Sequence, residues 1–322
     1  MDSGPGMRTS AVWDAGEAVP ADGCPGEKAI QGAEVNKVWL ITGANSGFGR
    51  AFAEAAVAAG DVVVAAARRP ETVVDLVDAY PGQVHAAELD VTDLAAARAV
   101  VDDVIAQHGR IDVLVNNAGR SHVGAVEETT AKELRDVFDV LFFGPAELVR
   151  SVLPHMRARR SGAIVQISSY GGQMANPGVG AYCAAKFALE GLSEALADEV
   201  GPLGIKVLVV EPGWFRTSFL GNTSASGRIA DYDATLEALR SMFAVGDGGA
   251  PGDPAKAAAA VLAALAAEHT PLRLPLGSDA VDVVLQHAEA VRSEVKQWEQ
   301  TARATAFDDA PALPSAARWR PQ

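Results

Sequence analysis

The sequence predicts an α/β fold: a doubly wound parallel sheet forming a single domain, with a small C-terminal extension. Three observations carry this. Short apolar strands alternate with helical runs from Lys37 onward, and the strands are apolar throughout rather than every second residue, as when helices cover both faces of a sheet. The first unit, KVWLITGANSGFGRAFAEAAVAAG at 37–60, is strand, glycine-rich turn and alanine-rich helix in immediate succession. The chain has 322 residues, 49% of them hydrophobic, which suits one large core better than two small ones.

In chain order, residues 1 to about 36 mix Gly, Pro, Ala and acidic side chains without periodicity, and read as a disordered extension in which Met7 is an alternative start. Val38–Thr42 is a buried strand. Glycines 43, 47 and 49 follow in a GxxxGxG spacing behind Thr42, and the helix stops at Gly60. Such a turn lets backbone approach a phosphate, and the free N–H groups at the helix start favour negative charge. An ordinary strand-to-helix turn is the alternative reading of the glycines alone. Then come strand Asp61–Ala66, a helix near Glu71–Tyr80, strand Gln83–Glu88, helix Leu94–Gln107 and strand Ile111–Val115. A long helical region runs from Ala131 to about Arg159, followed by strand Ala163–Ile167, a glycine-rich loop, helix Ala181–Val200 and strand Lys206–Val210. That makes at least six strands, whose right-handed crossovers bring all carboxyl ends to one edge. After Pro212 the pattern loosens through Trp214–Pro254. A helix at Pro254–Glu268, an apolar piece at Leu272–Leu276 and a charged helix at Asp279–Thr301 complete the chain. The domain is taken as 37–276, with 277–322 as C-terminal helix and tail.

Charge and composition exclude several classes. With 27 basic and 41 acidic residues the net charge is −14, which repels a phosphate backbone and argues against nucleic acid as partner. Cys24 and Cys183 are too few for a disulfide framework or a metal site, so a reduced, cytoplasmic setting is expected and no metal. The longest apolar run, Ala257–Ala267, falls well short of the ~20 residues that a membrane helix needs, and no membrane partner is expected.

Helix 181–200 opens with Tyr182 and Lys186, four apart and so on one face. A phenol titrating near ~10 is a slow proton donor at neutrality; an ammonium one turn away favours the phenolate and draws that value down. Ser169, thirteen residues before the tyrosine at a strand end, is placed to hydrogen-bond the same substrate oxygen. An incidental YxxxK surface pairing is the alternative that position in the chain argues against.

These residues resemble the short-chain dehydrogenase/reductase family from about Lys37 to Leu276. The resemblance rests on TGANSGFG at 42–49, Asp90-Val91 after the third strand, NNAG at 116–119, Ser169, YCAAK at 182–186 and PGWFRT at 212–217, in the family's order. It implies a Rossmann-like domain and a nicotinamide cofactor. Gly43, Ser46, Phe48 and Gly49 would lie near its phosphates and ribose, Asp90 and Val91 at the adenine, and Asn116 to Gly119, hence Asn117, Ala118 and Gly119, along the central strand end. Lys186 would bind the nicotinamide ribose beside Tyr182, and Pro212, Gly213 and Thr217 would position the carboxamide. Ser169, Tyr182 and Lys186 would be catalytic. The segment 214–250 corresponds to the family's lid, and Met174, Trp214, Phe215, Met242 and Phe243 in these parts suggest an apolar or aromatic substrate, ordinary packing being the other explanation.

The end of the second strand decides between cofactors. In AAARRP the carboxylate that would bond a ribose 2′-hydroxyl is missing, and Arg68 instead suits a 2′-phosphate, so NADP(H) is expected over NAD(H). Arg69 either shares that task or caps the next helix. One departure stands out: where the family carries asparagine in a VNxxG context, the chain reads VLFFG, with Leu141 in that slot. The asparagine is associated with a kink and a proton-relay water. Pro145 lacks an N–H, so in an α-helix the carbonyl of Leu141 loses its donor and is free to hold such a water. His122, just past NNAG, faces substrate or is merely solvated, and Cys183 reads as a small helix residue.

The expectation is therefore an NADP-dependent oxidoreductase interconverting a ketone or aldehyde and an alcohol. A non-redox role on the same fold, cyclisation, elimination or cofactor sensing, is the alternative that Leu141 keeps open. The family resemblance implies a homodimer or homotetramer packed through 131–159 and 181–200.

Overall fold

The computed structural model describes residues 36–307; the extension expected at 1–36, with Cys24, lies outside them except for Asn36, as does the tail from 308. Seven parallel strands form one sheet. Strand β1 (Val38–Thr42) lies third in it, with β2 (Val62–Ala67) and β3 (Val84–Glu88) on one side. On the other side follow β4 (Val113–Asn116), β6 (Gly162–Ile167), β7 (Ile205–Pro212) and β9 (Arg273–Leu276), giving the order β3-β2-β1-β4-β6-β7-β9. The direction of winding reverses between β1 and β4, and a crevice opens there beyond the strand ends.

All five residues of β1 are buried, and alternate side chains enter opposite layers. Trp39 and Ile41 join α1 (Gly47–Ala58) and α8 (Pro254–Ala266) on one face. Val38 and Leu40 join α3 (Leu94–His108) and α5 (Gly144–Arg159) on the other. Buried acids tie the strand starts: Asp61 accepts from Lys37 N and from Trp39 Nε1 at 2.9 and 2.8 Å, and Asp112 accepts from Val38 N at 2.9 Å. The apolar piece expected at Leu272–Leu276 supplies β9 and extends the minimum of six expected strands to seven. Most helix and strand ends fall within one or two residues of the sequence reading. The helix expected near Glu71–Tyr80 is a 3₁₀ turn at Pro70–Val73 followed by short α2 (Val74–Ala79).

The long helical region is not one helix. It consists of α4 (Ala131–Phe138), a π turn at Asp139–Phe143, and α5. In the π turn the Gly144 N–H donates to the Asp139 carbonyl, five residues back. At Gly144 the backbone passes so close to Val91 that a Cβ would lie 2.5 Å from its carbonyl oxygen. The next residue, Pro145, has no N–H to offer, so it can serve neither the Val140 carbonyl five residues back nor the Leu141 carbonyl four back.

The segment after Pro212 is more ordered than its composition suggests. It holds β8 (Thr223–Ala225), which pairs in parallel with β5 (Ser121–Val123), and helix α7 (Asp233–Val245). Helix α6 (Gly180–Val200) and the C-terminal α9 (Ser278–Arg303) complete the elements. No helix among the described residues is long and apolar enough to cross a membrane.

Candidate active site

A cleft of about 840 Å³ opens at the carboxyl ends of β1, β2, β4, β6 and β7. Its floor is the first glycine turn. Gly43 and Gly47 have φ of 64° and 53°, in the left-handed region where a Cβ is strained. At Gly49 a Cβ would run into the Gly43 carbonyl and the Asn117 side chain, so α1 starts directly against the turn.

The NNAG run locks onto this turn through Thr42. Its buried Oγ1 accepts from Asn117 N at 2.9 Å and Ala118 N at 3.0 Å, while Asn117 Nδ2 donates to the Thr42 and Gly43 carbonyls at 2.8 and 3.1 Å. Asn116 is turned away from the cleft, donating to Gln166 Oε1 at 2.9 Å and the Pro145 carbonyl at 3.3 Å.

Of the residues singled out from sequence, Gly43, Ser46, Phe48, Arg68, Asp90, Val91, Asn117, Ala118, Gly119, Ser169, Tyr182, Lys186, Pro212, Gly213 and Thr217 all line the cleft. Gly49 does not, lying behind the floor as a spacer. Arg68 and Arg69 are exposed at the rim, and neither guanidinium has an ion pair among the described residues. Thr217 stands over Gly47, and Trp214 N donates to Asp279 at 2.8 Å, which anchors the start of the 214–250 segment.

Helix α6 brings Tyr182 and Lys186 to the wall of the cleft, one turn apart. Ser169 Oγ and the edge of the Tyr182 ring both crowd Gly171, where a Cβ would lie 3.3 and 3.4 Å from them, and Ser169 Oγ accepts the Gly171 N–H at 3.0 Å. Lys186 is 6% exposed; its Nζ donates to the Ile167 carbonyl at 2.6 Å and lies 5.8 Å from the centre of the tyrosine ring. Burial pushes this ammonium down to about 8, against the attraction of Glu190. The phenol departs from the sequence expectation. Burial raises its pKa and the neighbouring Ser169 offsets only part of that, while the Lys186 ammonium is turned to the Ile167 carbonyl.

Leu141 is 1% exposed and packs with Val137, Ala185 and Tyr182, facing Gly119. An apolar side chain therefore fills the space on this flank of the tyrosine.

Two expectations about the rim change. His122 neither faces the cleft nor is solvated: it is buried, Nδ1 and Nε2 each 2.9 Å from the hydroxyls of Ser224 and Ser226, and burial lowers its pKa. It clamps β8 to β5. Met174 is not in the cleft wall, whereas Trp214, Phe215, Met242 and Phe243 are, with Phe215 mostly given to the core against Phe48 at 5.0 Å between ring centres. Sequence reasoning missed Phe219, which meets Tyr182 edge-on at 5.9 Å, and Leu239 on α7. The spacing of Leu236, Leu239, Met242 and Phe243 was the available signal for that helix.

Comparison with known proteins agrees with this geometry. A family model described as short chain dehydrogenase matches residues 37–227. Oxidoreductase BOA17 of Botryotinia fuckeliana is 37% identical over 274 residues, covering 84% of this chain and all of that protein. The 3-ketodihydrosphingosine reductase of Bacteroides thetaiotaomicron is 39% identical over 245 residues, 75% of this chain and 88% of that one. The crystal structure of a short-chain dehydrogenase from Streptomyces avermitilis is 55% identical, with a TM-score of 0.81, covering 85% of this chain and all of the other. More distant structures of the same fold carry NAD (Burkholderia phymatum, 23% identity, TM-score 0.68, 87% and 98% covered) or NADP (ElxO, 25%, 0.64, 77% and 100%). The glycine floor, the helix start above it and the adjoining cleft fit such a dinucleotide. The chain belongs to the short-chain dehydrogenase/reductase family and is an NAD(P)-dependent oxidoreductase.

Proposed function

We propose that the protein is an NADP(H)-preferring reductase or dehydrogenase that interconverts a ketone or aldehyde and an alcohol on an apolar small molecule. The observation that carries this is that Ser169 and Tyr182 meet at the wall of the cleft, with Lys186 one helical turn from the tyrosine on the same wall. When bound, the nicotinamide supplies or accepts the hydride. Tyr182 exchanges the proton on the substrate oxygen, and Ser169 donates a hydrogen bond to the same oxygen as charge develops there. Lys186 would hold the ribose hydroxyls of the cofactor beside the tyrosine. Gly43, Ser46 and Phe48 receive the phosphates, Asp90 and Val91 the adenine, and Asn117, Ala118 and Gly119 the middle of the dinucleotide; Pro212, Gly213 and Thr217 fix the carboxamide.

Preference for NADP(H) is supported by the unpaired guanidiniums of Arg68 and Arg69 at the rim beside Ala67, where a 2′-phosphate would add charge-assisted bonds. The substrate class is supported by Trp214, Phe219, Leu239, Met242 and Phe243, which make the lid side of the cleft apolar. A long-chain ketone belongs among the candidates, since one relative is a 3-ketodihydrosphingosine reductase. A homodimer or homotetramer through α5 and α6 is supported by the shallow apolar groove between them, where Val149, Leu153, Leu192 and Leu196 lie.

The test is to mix the full chain with NADPH or NADH and a panel of aryl, alicyclic and long-chain ketones, following loss of reduced-nicotinamide absorbance. Turnover at least tenfold more efficient with NADPH is the expected result. Cofactor binding with no oxidation across the panel would favour the non-redox alternative.

A further inference from the structure

Directly behind Ser169 lies a cluster of acids that the reaction above does not use. Glu190, one helical turn beyond Lys186 on α6, and Glu211 on β7 are 4% and 0% exposed. A single guanidinium serves them. Arg273 on β9 donates to Glu190 at 3.0 Å and to Glu194 at 2.8 Å, and stands 3.6 Å from Glu211. Gln173 Nε2 bridges the pair, 2.8 Å from Glu211 and 3.5 Å from Glu190. Among the described residues, the buried atoms Glu190 Oε1, Glu211 Oε2 and Ser168 Oγ have no hydrogen-bond partner, while the other oxygen of each acid reaches the same Gln173 Nε2 and the same Arg273 Nε, which brings the two carboxyls together. Two carboxyl oxygens can share a hydrogen bond only when a proton lies between them.

Resting on the function proposed above, we propose that Glu190 and Glu211 are positioning residues that hold one proton between them and thereby fix the Ser169 loop against the helix carrying Tyr182 and Lys186. The contacts that transmit this are on both sides of Ser169. Gln173 bonds both acids, and Gly172 is packed between Ser168 and Glu190, so close that a Cβ would lie 2.6 Å from Ser168 Oγ and 2.9 Å from the Glu190 side chain. No slack separates loop from helix. Removing the proton sets two negative charges face to face in a site with little water. The charged groups around the pair are Lys186 and Glu194 from α6 and Arg273 from β9; Ser168 and Gln173 from the loop are neutral. Arg273 is already shared with Glu194, so it does not neutralise both acids. Burial, then the charge of Glu190, pushes Glu211 up to about 7, and burial raises Glu190 as well. The proton is thus held below neutrality and lost above it, opening the contact that sets the distance from Ser169 to Tyr182.

Glu211→Gln keeps the hydrogen bonds and removes the titration. In the full chain with NADP⁺ present, thermal midpoints are measured from about pH 6 to about pH 8.5, and in parallel kcat and KM for carbonyl reduction are followed over the same range. The wild type is expected to lose several degrees and to drop at least about fivefold in kcat across this range, with KM little changed, while Glu211→Gln stays within about twofold and keeps a flat midpoint. Glu190→Gln is read the same way should the first variant fold poorly. Wild-type pH dependence of both readouts in both variants would overturn the proposal. A flattened midpoint with an unaltered kcat profile would overturn the positioning role. The melting readout needs no substrate, so absence of turnover in the wild type at every pH is a separate failure, that of the reductase reading.

Discussion

Thr42→Val tests how the cofactor floor is built. The substitution keeps shape and β-branching but removes the hydroxyl that joins β1 to the start of the NNAG run. That hydroxyl accepts from two main-chain N–H groups at 2.9 and 3.0 Å and donates to the Val115 carbonyl at 3.3 Å, at a position 1% exposed. Valine leaves both amides without their acceptor. An orphaned buried donor costs about 1–3 kcal/mol. Asn117 and Ala118 are half-buried and face the cleft, so water partly replaces the lost partner and the lower end applies. The sum is about 2–3 kcal/mol in urea unfolding, or a fall of about 6 °C in midpoint for a domain of this size. NADPH affinity, followed by fluorescence titration, is expected to weaken about tenfold because Asn117 no longer pins the Gly43 carbonyl from a fixed position. A change in stability under about 0.5 kcal/mol with unaltered affinity would refute the claim that Thr42 is the tie.

Other substitutions separate the remaining parts. Arg68→Ala is expected to raise the KM for NADPH about tenfold or more and leave that for NADH within about twofold, the loss of one charge-assisted phosphate contact; equal effects on both would contradict a 2′-phosphate site. Leu141→Asn should leave turnover within about threefold and lower stability by about 2 kcal/mol, since it buries an amide among Val137, Ala185 and Tyr182. A gain of orders of magnitude would mean that the family's asparagine relay is what this chain lacks. His122→Ala should loosen the lid, seen as faster proteolysis within 214–250, because two serine hydroxyls lose their shared partner.

Much of this molecule is legible in its sequence, for local reasons. The β1 strand, glycine turn and α1 follow from neighbouring residues, and Tyr182 and Lys186 share a face because helical periodicity dictates it. Ser169 could be assigned by its place at a strand end. What sequence reading loses is set by tertiary contacts. The π turn lies where Gly144 passes against Val91, a residue about fifty positions earlier that helical periodicity does not bring in. The phenol of Tyr182 rises rather than falls because it is buried, which four-residue spacing to a lysine does not reveal. His122 reads as a loop residue until β8 arrives from a hundred residues away, and strands of three residues, Ser-His-Val and Thr-Ser-Ala, are too short to carry a periodic signal. Glu190 and Glu211 sit on different elements, and nothing local marks them as a pair.

The central claim is that Tyr182, set beside Ser169 and Lys186 at the wall of the cleft, moves the proton on the substrate oxygen. Tyr182→Phe, assayed with the best carbonyl substrate and NADPH alongside a cofactor titration, tests it most directly. The account predicts at least about a thousandfold loss of kcat with the dissociation constant for NADPH within about threefold of wild type. Retention of more than about a tenth of the wild-type kcat would contradict it.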